Sequence, residues 1–251
     1  MKLARTRDTC RSCKLTEAPT VFVIDSDASV REALDLLIRS AGWQSRTAAS
    51  AEEFLARPRL IGPGCLLTEM NLPGLTGLDL QKLILDRREL PIIFISNWAD
   101  VHAAVQAMKG GAFELLTKPI AADPLLSVIR CALERSRAAL SYLSHIETLQ
   151  ARYESLSARE REVMHLVVSG RLNKQVGGDL GITEYTVKVH RGRAMRKMQA
   201  TSFAEMVTMV ASLRGETVTV GTSFHASPEP LTRVTSLAES THLRDYGLVP
   251  A

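Results

Sequence analysis

The first half of the chain alternates short apolar runs with amphipathic stretches. Four apolar runs predict strands over 20–25, 64–68, 91–96 and 113–117, and the segment 44–48 predicts a weaker strand. Apolar positions spaced three to four residues apart predict helices between them, over 28–41, 51–56, 76–86 and 100–109. This alternation predicts an α/β fold, with a five-stranded parallel sheet that is doubly wound by helices on both faces.

The region 122–153 has the pattern of one long helix. An apolar stripe begins after Leu125 and loses its register near Glu147; its members are Leu126, Ile129, Leu133, Ser136, Leu140 and Leu143. Such a helix either packs on the sheet and runs on as a linker, or pairs with the same helix of a second copy. A stripe of about two to three heptads leaves both alternatives open.

The region 154–214 contains only helical patterns and is predicted to be a separate all-α domain. Ser157 and Glu160 have the spacing of a capping box at the start of a helix. Gly181 is suited to a helix end, and Thr183 can cap a following helix over 184–199. Helix, glycine turn and second helix are the elements of a helix-turn-helix.

The two ends of the chain lack these patterns. We expect the basic segment 1–19 to be a flexible arm, and the segment 215–251, rich in Ser, Thr, Pro and Gly, to be disordered. The sequence has neither an apolar run of about 18–20 residues nor a signal peptide, which predicts a cytoplasmic protein. Cys10 and Cys13 supply two of the four ligands of a zinc site; we expect them to be incidental, with a redox or metal role as the alternative.

Positive charge is concentrated in the all-α region. The net charge of the chain is +4; residues 154–214 hold ten basic and six acidic side chains, whereas residues 20–121 hold ten and twelve. The predicted helix 184–199 carries one acid, Glu184, and five bases: Lys188, Arg191, Arg193, Arg196 and Lys197. A basic face opposite an apolar stripe suits a helix in the major groove of DNA, where long cations reach phosphates and guanine edges. The histidines are scattered and no Ser-His-Asp arrangement appears, so we do not expect an enzyme.

The segment 156–198 carries the motifs L-S-x-R-E-R-E-V, G-x-x-N-K and L-x-I-T-x-x-T-V-K-x-H. It resembles the LuxR-type helix-turn-helix of the FixJ/NarL response regulators. The resemblance implies a set of residues close to double-stranded DNA: Asn173, Lys174, Thr186, Lys188, Val189, His190, Arg191 and Arg193. His190 could equally be a packed residue. Gly192 stands where some relatives have a longer contact residue, and Gly177 and Gly178 should weaken or bend the helix over 172–180.

The segments VFVIDSDASVREAL, NLPGLTGLDL, ADVHAAVQAMKGGA and LLTKPI, within residues 20–121, resemble the receiver domain of the same family. The resemblance implies a flavodoxin/CheY-like fold that takes a phosphoryl group on an aspartate in the presence of magnesium. Asp25 matches the first acid of the metal site, Ser96 the hydroxyl that senses the phosphoryl group, and Lys118 the lysine of the site. The carboxyl ends of the parallel strands should bring these side chains together.

Three positions depart from the receiver pattern. Ser26 replaces an acidic metal ligand, Glu69 replaces the phosphoacceptor aspartate, and Leu115 replaces the aromatic switch residue. Asp27 could compensate in part for Ser26. A carboxylate that is one methylene longer is displaced by over ~1 Å, enough to disturb an in-line attack, and can lie beside Lys118 as a substitute for the phosphorylated charge.

These departures predict a transcription regulator that acts independently of phosphorylation and has lost its magnesium site. We expect it to bind inverted repeats as a homodimer. Activity would then depend on a constitutive dimer held by Glu69 and Lys118, or on a protein partner at the face 100–117. The alternatives are residual phosphotransfer, a ligand in the altered pocket, and an interaction module that sequesters a kinase or a partner regulator. Trp98 is either a lid beside the pocket or an ordinary loop aromatic.

Overall fold

A computed structural model describes residues 18–59, 62–96 and 101–214. It contains a five-stranded parallel sheet with the order β2-β1-β3-β4-β5. The strands are β1 Thr20–Ile24, β2 Gln44–Ala48, β3 Gly64–Glu69, β4 Ile92–Ser96 and β5 Glu114–Thr117. The predicted strands and their parallel arrangement are confirmed. The central strands are buried on both faces, which is why they appear in the sequence as continuous apolar runs.

Helices cover both faces of the sheet, as predicted. The receiver-like part contains α1 Ala28–Ser40, α2 Ala51–Leu55, α3 Gly77–Leu83 and α4 Val101–Lys109. One core cluster joins Phe22 and Ile24 of β1 to α2, α3 and α4, and a second joins Val21 and Val23 to α1 and α5. The prediction that α3 reaches residue 86 was wrong, because Ile84 leaves the helical conformation with φ −113° and ψ 22°.

A single 33-residue helix, α5 Ala122–Glu154, follows the sheet. Its first half belongs to the second core cluster through Leu125, Ile129, Ala132 and Leu133, and Ser136 on the same helix is also buried. The Ser136 hydroxyl accepts a hydrogen bond from the Gly64 amide at 3.0 Å and donates to the Glu89 carbonyl. Leu143, the last member of the predicted stripe, is 43% exposed and does not join this cluster. The last turns of α5 pack instead on the all-α domain through Leu149.

Up to residue 214, where the described part of the chain ends, four helices follow α5, as predicted: α6 Ala158–Val168, α7 Asn173–Leu180, α8 Glu184–Met198 and α9 Phe203–Leu213. The capping box of Ser157 and Glu160 is present at the start of α6. Gly181 ends α7 in the left-handed conformation, with φ 65°. α8 ends at Met198, one residue earlier than predicted, because Gln199 is also left-handed.

The two glycines of α7 have different surroundings. A Cβ at Gly177 would lie 2.7 Å from the carbonyl oxygen of Ile182, so the turn into α8 passes too close for a side chain. A Cβ at Gly178 would meet nothing within 4 Å. α7 is nevertheless a continuous helix from Asn173 to Leu180. Close packing explains Gly177, and nothing in the structure explains Gly178.

Several predictions concern residues outside the described part of the chain. They are the arm with Cys10 and Cys13, Trp98, and the tail 215–251. Of the arm, the structure describes only Ala18 and Pro19, and the Pro19 carbonyl accepts a hydrogen bond from Gln44 at the start of β2. Within the described residues, no helix has the length and apolar character needed to cross a membrane.

Candidate functional site

The carboxyl ends of the strands bring four of the predicted pocket residues to one edge of the sheet. Asp25 follows β1, Glu69 ends β3, Ser96 ends β4 and Lys118 follows β5. The Lys118 ammonium lies 2.8 Å from Asp25 Oδ2 and 3.3 Å from Glu69 Oε1. The parallel topology therefore produces one lysine shared by two carboxylates.

This cluster is largely removed from solvent. Asp25 is 1% exposed and Glu69 9% exposed. Desolvation disfavours the charge on Lys118, but its hydrogen bond and attraction to Asp25, together with the attraction to Glu69, outweigh that effect and raise the pKa of Lys118 above 10.5. The lysine is thus held as a cation by the two carboxylates that it bridges.

Ser26 and Asp27 have different roles in the loop after β1. The Ser26 hydroxyl donates to Glu69 Oε2 at 3.3 Å, so both oxygens of Glu69 have partners. The Asp27 carboxylate accepts from the Ser29 amide at 2.8 Å as the N-cap of α1, and its own amide donates to Asp25 Oδ1 at 2.9 Å. Asp27 therefore caps a helix, whereas Ser26 reaches the pocket.

Arg31 is a pocket residue that the sequence analysis missed. Its guanidinium donates to the carbonyl oxygens of Asp25, at 2.7 Å, and Ser26, at 3.0 Å. Its position one turn into α1 was the available signal, since a long cation there can fold back over the loop. Arg31 fixes the backbone that carries the pocket's first two residues.

Two further contacts position Glu69 and Ser96. A Cβ at Gly77 would lie 2.6 Å from the Glu69 carbonyl oxygen, so α3 can approach β3 this closely only through a glycine. The Lys118 amide donates to the Ser96 carbonyl at 2.8 Å, and Ser96 is 2% exposed. Leu115, at the predicted switch position, is half-buried against the first core cluster.

The all-α domain presents α8 as its candidate nucleic-acid helix. Thr183 caps it by accepting from the Thr186 amide at 3.2 Å, and the two hydroxyls lie 2.8 Å apart. Val187, Ala194 and Met198 are buried on the inner side. The opposite side therefore faces solvent.

The structure separates the predicted DNA-contacting residues into two groups. Lys174, Lys188 and Arg193 are exposed. The other five are half-buried: Asn173, Thr186, Val189, His190 and Arg191. The Arg191 guanidinium lies 4.7 Å from the centroid of the Phe203 ring, a cation–π contact with α9.

Two half-buried residues retain an unsatisfied polar atom. Asn173 Oδ1 and His190 Nδ1 are buried and take part in no hydrogen bond within the described chain. An unpaired buried polar atom is costly to a folded protein. Lys188, by contrast, pairs with Glu184 at 3.0 Å on the exposed side of α8.

Lys197 belongs to the scaffold rather than to the basic DNA face on which the sequence analysis placed it. Its ammonium donates to Glu160 Oε2 at 2.6 Å and to the Ser155 carbonyl at 3.1 Å. The hydrogen bond from Lys197 and that from the Ser157 amide lower the pKa of Glu160 from 4.5 to about 2. This ion pair joins α6 to α8, because Lys197 lies on the turn of α8 that faces the start of α6.

Within the described residues, no group of three or more His, Cys, Asp or Glu side chains is arranged to hold a metal ion.

The doubly wound sheet with its lysine-bridged acids, followed by a capped helix-turn-helix, defines a two-domain DNA-binding regulator of the response-regulator class.

Comparison with known proteins gives the same result. The family described as "Response regulator receiver domain" matches residues 21–130, and "Bacterial regulatory proteins, luxR family" matches residues 154–210. The chain is 41% identical to Nodulation protein W of Bradyrhizobium diazoefficiens over 79% of this chain and 89% of that protein. It is 39% identical to the response regulator protein TodT of Pseudomonas putida over 78% of this chain and 87% of that protein. The solved structure of the response regulator StyR is 40% identical, with a TM-score of 0.68 over 78% of this chain and all of that one.

The chain belongs to the response regulators that join a receiver domain to a LuxR-type DNA-binding domain. It is a DNA-binding regulator of transcription, as the sequence analysis predicted.

Proposed function

We propose that this regulator controls transcription without phosphorylation of its receiver, and that it has no enzymatic activity of its own. The observation that carries the proposal is Glu69 at the phosphoacceptor position. One of its oxygens lies 3.3 Å from the Lys118 ammonium and the other 3.3 Å from the Ser26 hydroxyl. A carboxylate held in this way already supplies the negative charge that a phosphoryl group would bring to Lys118.

The ligands of the pocket also support the loss of the magnesium site. A hard dication needs several oxygen ligands that are not already neutralised. Here Lys118 bridges Asp25 and Glu69, Ser26 offers only a neutral hydroxyl, and Asp27 is used as a helix cap. We therefore propose that the receiver works without a metal cofactor.

We further propose that the regulator acts in the cytoplasm as a homodimer on inverted repeats. Exposed apolar side chains on α4 support a partner surface within the predicted face 100–117: Val101 is 73% exposed, Met108 48% and Val105 44%. Apolar side chains clustered on one short helix favour burial against another protein surface. A second copy of the chain is the partner that we propose for this face.

The test uses beryllium fluoride, which mimics a phosphoryl group on an aspartate. The full-length chain is measured for dimerisation and for affinity to selected genomic DNA, with and without magnesium and beryllium fluoride. The matched control is the double variant Ser26→Asp/Glu69→Asp, which restores both acids in the same fold. We expect no response from the natural chain and a clear response from the variant.

A several-fold rise in the affinity of the natural chain on addition of the mimic would refute phosphorylation independence. Detection of an acyl phosphate on Glu69 after treatment with magnesium and acetyl phosphate would also refute it. The variant Lys188→Ala tests the role of DNA contact. If regulation in cells persists without DNA binding, a receiver that sequesters a partner becomes the better description.

A further inference from the structure

Tyr185 is exposed on the first turn of α8, where the sequence analysis predicted no contact residue. Its side chain is 77% exposed, more than any other large apolar or aromatic side chain in the described residues. No hydrogen bond or ring contact joins it to another residue of the described chain. A phenol ring held in water on a rigid helix has both an apolar face and a hydroxyl free for another molecule.

Neighbouring residues of α8 are less available for contact with DNA than the motif alone implies. The Thr186 hydroxyl is occupied by the cap residue Thr183, at 2.8 Å, and Arg191 lies over the ring of Phe203. Val189 is half-buried. Several of the side chains assigned to DNA by resemblance therefore make contacts within the domain itself. The outward side of α8 is formed by other residues.

The outward side of α8 is defined by helical geometry. Tyr185, Gly192 and Arg196 have the spacing i, i+7 and i+11, which places them on one side of a helix with about 3.6 residues per turn. Lys188, whose side chain is 60% exposed, lies beside Tyr185 at i+3. A Cβ at Gly192 would meet nothing within 4 Å, so the middle of this side is open and flat. Tyr185 is thus the one bulky side chain at the N-terminal end of this side.

We propose that Tyr185 reads a thymine in the major groove. This inference rests on the proposed mode of DNA binding, in which the N-terminal turns of the recognition helix reach the base edges. The ring packs on the thymine C5 methyl and the hydroxyl donates to an acceptor on the same base edge. Gly192 lets the helix backbone approach the groove closely, while Lys188 and Arg196 contact phosphates.

The experiment selects sequences from a pool of randomised duplexes with the full-length chain. The natural chain is compared with Tyr185→Ala, Tyr185→Phe and the control Lys188→Ala. We expect the natural chain to select thymine at one position in each half-site. Tyr185→Ala should lose the preference at that position only, with affinity for the selected site reduced roughly 5- to 100-fold, as for loss of one good base contact. Tyr185→Phe should keep the preference, since it keeps the ring.

A second arm removes the methyl group from the DNA. Replacing the selected thymine by deoxyuridine should weaken binding of the natural chain and leave Tyr185→Ala unchanged. Lys188→Ala should instead weaken binding to all duplexes and reduce the dependence of affinity on salt by about one phosphate contact. This contrast separates a base contact from a backbone contact.

Three outcomes would overturn the inference. One is that Tyr185→Ala selects the same bases as the natural chain at every position. Another is that deoxyuridine weakens the natural chain and Tyr185→Ala equally. A third is that Tyr185→Ala binds DNA normally but no longer activates or represses in reconstituted transcription, which would place the ring against a protein. If the natural chain binds no duplex with selectivity, DNA recognition by α8 fails as a whole and Tyr185 with it.

Discussion

The ion pair between Glu160 and Lys197 gives a quantitative test of how the DNA-binding domain is held together. Glu160 is 4% exposed, and its Oε2 atom accepts from Lys197 at 2.6 Å and from the Ser157 amide at 2.8 Å. A pKa lowered from 4.5 to about 2 corresponds to roughly 3 kcal/mol in favour of the charged form. Because the Lys197 side chain is 41% exposed, solvent screening reduces the expected contribution to about 2 kcal/mol.

The variant Glu160→Gln keeps the size of the side chain and removes its charge. We expect its domain to lose about 2 kcal/mol of unfolding free energy, because Lys197 and the α6 N-terminus lose a charged acceptor. Both tryptophans of the chain, Trp43 and Trp98, lie within residues 20–121. Tryptophan fluorescence in denaturant therefore follows the receiver, and hydrogen exchange of α6 and α8 amides follows the DNA-binding domain.

The control is Glu162→Gln on the same helix. Glu162 also forms an ion pair, in its case with Arg159 at 2.8 Å, but its side chain is 50% exposed. We expect this variant to lose less than about 0.5 kcal/mol. Equal losses for the two variants would show that the buried position of Glu160 has no special effect, and would refute the reasoning.

The dependence on pH gives an independent check. The folded pKa of Glu160 lies below that of the unfolded chain, so its contribution is present above pH 4.5 and is lost as the pH falls towards about 2. The natural chain and Glu160→Gln should therefore approach each other in stability over this interval. A stability difference that stays constant from pH 5 to about 2 contradicts the assignment.

Three further predictions concern single side chains. Gly178→Ala should stabilise the DNA-binding domain by about 0.5–1 kcal/mol. Gly177→Ala should destabilise it, because its Cβ would lie 2.7 Å from a backbone carbonyl oxygen. Calorimetry should show shifts of opposite sign in the unfolding temperature of the domain. Ser136→Ala should cost the receiver about 1–3 kcal/mol in denaturant unfolding, because two backbone groups lose their partner. Acid should weaken the DNA-binding domain through His165, because desolvation and the charge of Arg214 lower the pKa of its ring from 6.5. The stability of the domain is therefore unaffected by His165 above pH 6.5 and falls as the pH drops below that value. An NMR titration of the ring that shows a pKa above 6.5 would refute this prediction.

Much of the fold could be predicted because apolar spacing is a local property. Four of the five parallel strands followed from continuous apolar runs, and the capping box followed from two residues three positions apart. The burial along α5 was harder to predict, since Leu143 and Leu149 belong to the same helix but Leu143 is 43% exposed whereas Leu149 is buried in the core of the all-α domain. Burial along a long helix depends on what lies beside each turn, and spacing alone does not contain that information.

The pocket, too, could be predicted from the sequence only in part. Its residue set could be predicted because strands of a parallel sheet end at one edge, and this edge carries Asp25, Glu69 and Lys118. The position of Arg31 one turn into α1 indicated only that a long cation could fold back over the loop; its contacts with two carbonyl oxygens depend on the rotamer of its side chain. Side chains with many rotamers acquire a role only when the surrounding backbone selects one of them.

The sequence by itself determined the two domains, their class and the replacement of an aspartate by Glu69, because these are matters of residue identity and local period. Only the tertiary structure decided which members of α8 face inwards. Arg191 is held by Phe203 of α9 and Lys197 by Glu160 of α6, while Tyr185 is left in solvent. The physical reason is that a basic residue on a helix binds whichever acceptor or ring is near it, and distant parts of the chain supply those partners only after they have packed.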